Sequence, residues 1–121
     1  MANILVIDDD PLFRKLLNAA LEAHGHLVEV ANDGQHGLDL ARANRPDLVV
    51  SDMNMPVMTG WEFLRALNDD AELSGIPVIV LSAHRTSQDY EEAHNQGVAA
   101  YVTKPVKIDD LAKKVDDVLA G

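Results

Sequence analysis

The sequence predicts an α/β protein: a (βα)5 doubly wound sandwich around a five-stranded parallel sheet in the order 2-1-3-4-5. Three observations carry this expectation. Apolar runs of four to six residues alternate along the whole chain with segments of helical period, the pattern of repeated βα units. Ile4–Ile7, Leu48–Val50 and Val78–Leu81 are continuously apolar, as strands covered on both faces must be. Leu27-Val-Glu-Val30 carries a charge, and Val98–Val102 is short and alanine-rich, which marks both as edges. Right-handed crossovers with helices on both faces then favour 2-1-3-4-5.

The strands fall at about 3–8, 27–31, 47–52, 76–82 and 98–102, and the helices at about 11–24, 34–44, 60–69, 87–96 and 107–119. Asp10-Pro11 supplies an N-cap acceptor and a proline at the first helical position. Leu12, Leu16, Leu17, Ala20 and Leu21 then read as one apolar stripe, ended by Gly25. Gly34 and Gly37 are expected to let the second helix pack closely on the sheet. Thr59-Gly-Trp-Glu62 matches a capping box ahead of Phe63, Leu64 and Leu67. The fourth helix offers mainly Tyr90 and Ala93 for burial and is expected to be loosely held. In the last helix Ile108, Leu111, Ala112, Val115, Val118 and Leu119 form a regular stripe.

A chain of 121 residues fits one domain, expected to span 1–121, with room for a real core. No stretch approaches the ~20 apolar residues needed to cross a bilayer, and no basic segment precedes Asn3, so no signal peptide is expected. The absence of cysteine excludes disulfides and zinc–thiolate sites and fits a cytoplasmic protein. A net charge of −10 with scattered Arg and Lys argues against nucleic acid or membrane as partner. His24, His26, His36 and His94 share no metal-ligand spacing and are expected at the surface.

The chemistry lies at the strand ends. The first strand runs into Asp8-Asp9-Asp10, the third ends on Ser51-Asp52, the fourth on Ser82, and the fifth runs into Lys104-Pro105. In the predicted sheet, ligands bind where the winding direction reverses, between strands 1 and 3, where Asp8, Asp9 and Asp52 lie. Packed carboxylates repel, so they require a proton or a cation. All-oxygen ligands favour a small hard ion, and Mg²⁺ is the usual choice beside phosphate. A carboxylate is also a nucleophile toward phosphorus, and Lys104 and Ser82 are suited to phosphoryl oxygens. Asp10 alone reads as a helix cap rather than a ligand.

At Ile4-Leu-Val-Ile-Asp8-Asp9-Asp10, Ser51-Asp52-Met-Asn-Met-Pro56 with Gly60, Val80-Leu-Ser82-Ala83 and Tyr101-Val-Thr-Lys104-Pro105, the chain resembles the receiver domain of two-component response regulators. That resemblance runs from end to end, leaves nothing for an output domain, and implies the flavodoxin-like, CheY-like fold. It implies a phosphorylation-activated switch rather than an enzyme, with intrinsic self-phosphorylation and autodephosphorylation chemistry. Asp52 would accept the phosphoryl group. Mg²⁺ would be held directly by Asp9 and Asp52, mainly through water by Asp8, and by the backbone carbonyl of Asn54. Ser82 and Tyr101 match the switch pair, Lys104 the phosphate-binding lysine, and Asn54 and His84 the positions that tune dephosphorylation. Lys104–Pro105 matches a cis peptide. The implied partners are a sensor histidine kinase or histidine phosphotransfer protein and a downstream target, met by a monomer on the fourth helix, fifth strand and fifth helix, with Arg85, Tyr90, Tyr101 and Lys114. Val106 stands where many receivers carry Phe, Lys107 replaces a small polar cap, and Thr59 takes a place often held by Asp.

Two other classes share parts of this pattern. A haloacid-dehalogenase-type phosphatase also uses Asp, Mg²⁺ and Lys, but it resembles Asp-x-Asp at the nucleophile, whereas Asp52-Met-Asn54 lacks the second carboxylate. A flavodoxin-like FMN carrier needs a Ser/Thr/Gly-rich phosphate loop where Asp8-Asp9-Asp10 stands. Within the switch reading, a phosphorelay intermediate is the alternative to direct control of a target.

Overall fold

A computed structural model describes residues 2–53, 58–82 and 87–121, and only the backbone of 87–90. The elements are β1 (Asn3–Ile7), α1 (Pro11–Ala23), β2 (Leu27–Ala31), α2 (Gly34–Asn44), β3 (Leu48–Asp52), α3 (Gly60–Asp69), β4 (Val78–Ser82), α4 (Ser87–Asn95), β5 (Ala100–Thr103) and α5 (Ile108–Ala120). The strands form one parallel sheet in the order β2-β1-β3-β4-β5, as expected. Each boundary lies within about two residues of its predicted place.

Side chains of alternate parity along the strands feed two core layers, because successive Cβ atoms point to opposite faces of a sheet. Ile4, Val6, Leu48, Val50, Ile79 and Leu81 pack against Leu17 and Leu21 of α1 and Leu111, Ala112 and Val115 of α5. On the other face Leu5, Ile7, Val49, Val78 and Val80 meet residues of α2 and α3 together with Ala93 of α4. Burying each of the larger side chains stabilises the fold by about 1.5–3 kcal/mol. All residues of β3 and β4 are buried, whereas β2 and β5 are more open, as edges are. Tyr90's side chain lies outside the described residues.

Local signals explain the helix ends. Asp10 caps α1 by accepting from the backbone N–H groups of Leu12 and Phe13, with Pro11 at the first position. Gly25 follows the helix with φ +89°, the left-handed conformation that glycine adopts without a Cβ clash. Thr59 and Glu62 form the predicted capping box of α3. Lys107, at the N-cap of α5, makes no side-chain cap bond. A Cβ added at Gly37 would run into the Ile7 side chain, and one at Gly34 would meet the Met58 carbonyl oxygen at 2.8 Å, so both close approaches require glycine.

Two expectations need correction. Leu12 and Leu16 are 65% and 50% exposed, outside the stripe assigned to them. The cap at Asp10 sets the rotation of α1 so that Phe13, Leu17, Ala20 and Leu21 face the sheet. His26 is not a surface residue either, since its side chain is only 11% exposed. His24 Nδ1 and His26 Nε2 lie 2.6 and 2.7 Å from the two carboxylate oxygens of Asp116, tying the α1–β2 turn to α5. Hydrogen bonds from His26 and then His24 hold the Asp116 carboxyl below the ordinary carboxylate range.

A carboxyl whose folded pKa is depressed stabilises fully above its unfolded pKa, near 3.9, and loses that contribution as pH falls through the folded value. Asp116→Asn will therefore melt below the unsubstituted protein at about pH 7, and the gap will narrow as pH falls below about 3.9. Thermal unfolding of both proteins across that range checks it.

Candidate functional site

The carboxyl edge of the sheet gathers the predicted residues. Asp8 follows β1, and its backbone N–H donates to the Ala31 carbonyl of neighbouring β2 at 3.2 Å. Its carboxylate Oδ1 accepts from the Asp10 N–H at 2.9 Å, which turns the chain into α1 and aims Oδ2 across the edge. Asp52 closes β3, beside Leu81 of β4. Lys104 follows β5, and its N–H donates to the Ser82 carbonyl at 2.7 Å. The Lys104–Pro105 peptide is cis, as the resemblance implied.

Lys104 Nζ reaches Asp8 Oδ2 at 3.3 Å and Asp52 Oδ2 at 3.4 Å. Asp8 and Asp52 are 1% and 4% exposed, and Asp9 lies open at the rim. Burial drives the Asp8 carboxyl above the ordinary range and the Asp52 charge adds to this, against the Asp10 N–H and the Lys104 ammonium. Burial also works against the Lys104 ammonium, but the carboxylates of Asp8 and Asp52 outweigh it and hold that group above the usual lysine range. The two directions agree physically: among the described residues two buried carboxylates share one cation, which leaves the ammonium well compensated and Asp8 short of positive charge.

That shortage bears on the expected metal. One carboxylate oxygen each from Asp8, Asp9 and Asp52 lie within 4.8 Å of one another. Three hard oxygen donors with no imidazole or thiolate among them fit Mg²⁺, and a divalent cation supplies the positive charge that this corner lacks.

Ser82 is buried at the end of β4, next to Asp52's strand. Tyr101 is half-buried on β5, opposite Val80, and packs against the core layer of α2–α4. Asn54, His84 and Arg85 lie outside the described residues. One residue near the site was missed from sequence: the ring of Phe13 lies beneath Lys104, with Nζ 5.2 Å from its centroid. Both line an open cavity of about 440 Å³ together with Asp10, Pro105 and Val106. Its only sequence signal was an aromatic one turn into a helix that starts at the site.

Gly60 sets the position of Asp52 from below. Its N–H donates to the Met53 carbonyl at 3.1 Å. A Cβ there would lie 2.6 Å from the Asp52 carbonyl oxygen and 2.6 Å from Met53 Cα.

A doubly wound parallel sheet with an acidic pocket and a lysine at its carboxyl edge defines a flavodoxin-like domain. The chain belongs to the response regulator receiver family: the model for "Response regulator receiver domain" matches residues 4–116. The protein PilH of Pseudomonas aeruginosa is 43% identical over 121 residues, covering both chains fully. The polar-differentiation response regulator DivK of Brucella anthropi is 36% identical over 106 residues, covering 88% of this chain and 86% of DivK. The solved structure of the chemotaxis response regulator CheY4 of Vibrio cholerae superposes with a TM-score of 0.91 at 32% identity, covering 98% of each chain. Receiver domains act as phosphorylation-activated switches in two-component signalling and interact with histidine kinases and downstream effectors. No described helix is long and apolar enough to cross a membrane.

Because backbone atoms, and not only the Met53 sulfur, block the space, Gly60→Ala is expected to lower stability by about 1–3 kcal/mol in urea unfolding. Gly75→Ala, whose added Cβ meets nothing within 4 Å, stays within about 0.5 kcal/mol.

Proposed function

We propose that Asp52 accepts a phosphoryl group from the phosphohistidine of a sensor histidine kinase or a histidine phosphotransfer protein and holds it as a signal. The observation that carries this reading is a buried carboxylate at the end of β3, with Lys104 Nζ 3.4 Å away and the ligand oxygens of Asp8 and Asp9 within 4.8 Å. An Asp52 carboxylate oxygen attacks phosphorus in line. The O–P bond forms as the P–N bond breaks, and its electron pair returns to the departing imidazole. Lys104 exchanges its contact with Asp52 Oδ2 for a phosphoryl oxygen, and the Ser82 hydroxyl donates to another. Asp8, Asp9, Asp52 and the Asn54 carbonyl would hold Mg²⁺, which neutralises phosphoryl charge when bound.

Departure of the Ser82 hydroxyl toward phosphate draws Tyr101 inward. The face made by α4, β5 and α5 changes and meets a downstream target. The domain is a phosphoacceptor with its own self-phosphorylation and autodephosphorylation chemistry, not an enzyme with a separate substrate, and it works as a monomer in the cytoplasm. A net charge of −10 supports protein partners over nucleic acid or anionic membrane.

Acetyl phosphate with Mg²⁺ is expected to give one alkali-labile adduct by mass, absent without Mg²⁺ and in Asp52→Asn. An adduct that survives Asp52→Asn overturns the reading. Lys104→Ala slows adduct formation by on the order of 10²-fold, as loss of a charge-stabilising donor does. Trp61, half-buried at the start of α3, should report Mg²⁺ by a saturable fluorescence change that Asp9→Asn removes.

A further inference from the structure

We propose that Phe13 is a positioning residue for the Lys104 ammonium, a role that rests on the reading of Asp52 as acceptor. Lysine is a point charge on a flexible stem, and among the described residues two carboxylates contact its ammonium, at 3.3 and 3.4 Å. With 28% of its side chain exposed, Lys104 has a path toward water. Phe13 stands beside that path, since both residues line the same open cavity. Nζ stands 5.2 Å from the ring centroid, inside the ~6 Å over which an aromatic face attracts a cation.

The ring is itself held in place. Asp10 accepts from the Phe13 N–H at 3.3 Å, which fixes the first turn of α1, and the side chain packs against the core layer between the sheet and α1 and α5. Asp8 and Asp52 approach the ammonium from the sheet, Phe13 from the helix. The two carboxylates change character when a metal or a phosphoryl group arrives, since their charge is then shared with a new partner. The ring has no group that titrates or takes a phosphoryl, so its attraction for the ammonium is the same before and after transfer. It therefore keeps Nζ at the edge of the sheet while Asp52 lets go of it and the phosphoryl oxygen takes it up.

The test is a series of proteins carrying mono-, di- and trifluorophenylalanine at position 13, which keep the ring's shape while weakening its negative face. Thermal melting confirms that each variant folds. Two quantities are followed: the rate of Asp52 phosphorylation by acetyl phosphate, and the Lys104 Nζ resonance in ¹⁵N-lysine-labelled protein. Expected are a stepwise fall in rate totalling about three- to tenfold, a graded shift of the Nζ resonance, and rates within about twofold of the original for Phe13→Tyr and Phe13→Trp. Phe13→Leu, apolar but without a π-face, falls with the trifluoro variant. A flat rate and a flat resonance across the series, or full activity in Phe13→Leu, overturns the proposal. If the unsubstituted protein takes no label, the acceptor reading fails instead, and the Nζ resonance, which requires no transfer, still decides whether the ring holds the ammonium.

Discussion

One ammonium shared by two buried carboxylates is the constraint on which the rest of this structure depends. Asp8 and Asp52 come from adjacent strands that are 44 residues apart in the chain, and each is almost fully withdrawn from water. Two such anions side by side repel, and burial strengthens the repulsion. Lys104, delivered from beyond β5, contacts both at once. The bond from its N–H to the Ser82 carbonyl roots the start of that side chain on the intervening strand. Among the described residues the corner holds more carboxylate than ammonium, a deficit that a divalent cation would fill.

The doubly wound topology is what makes such a corner available. Because α1 and α5 cover one face and α2–α4 the other, the connections leaving β1 and β3 diverge and leave a crevice between their carboxyl ends. Residues placed directly after those strands have no choice but to face it. At the opposite end of α1, the two-histidine fork on Asp116 ties the helix to α5. Helix α1 is thus attached to the neighbouring elements at both of its ends, by different chemistry at each.

Much of this was legible in the sequence because it depends on local pattern. Continuous apolar runs distinguished β1, β3 and β4 from the edges, and strand order followed from that distinction. Asp8, Asp9, Asp52, Ser82 and Lys104 were legible as strand-end residues once the order was known. The rotation of α1 was not. Leu12 and Leu16 have the right spacing for burial, but so does the stripe through Phe13, Leu17 and Leu21, and the cap at Asp10 decides between them. Nor could His26 or Phe13 be placed. Each gains its meaning from a partner some 90 residues away, Asp116 and Lys104, and no periodicity records such a pairing.

The contact beneath Asp52 has a consequence for how this sequence is free to drift. The Met53 sulfur stands 2.6 Å from where a Cβ at position 60 would be, and a smaller residue at 53 would remove that obstacle. The Asp52 carbonyl oxygen and Met53 Cα would remain at the same distance whatever side chain position 53 carried. No compensating substitution nearby reopens position 60, because the obstruction is peptide backbone. Position 53, in the core, is limited by packing volume alone, while position 60 is tied to glycine for as long as β3 ends where it does.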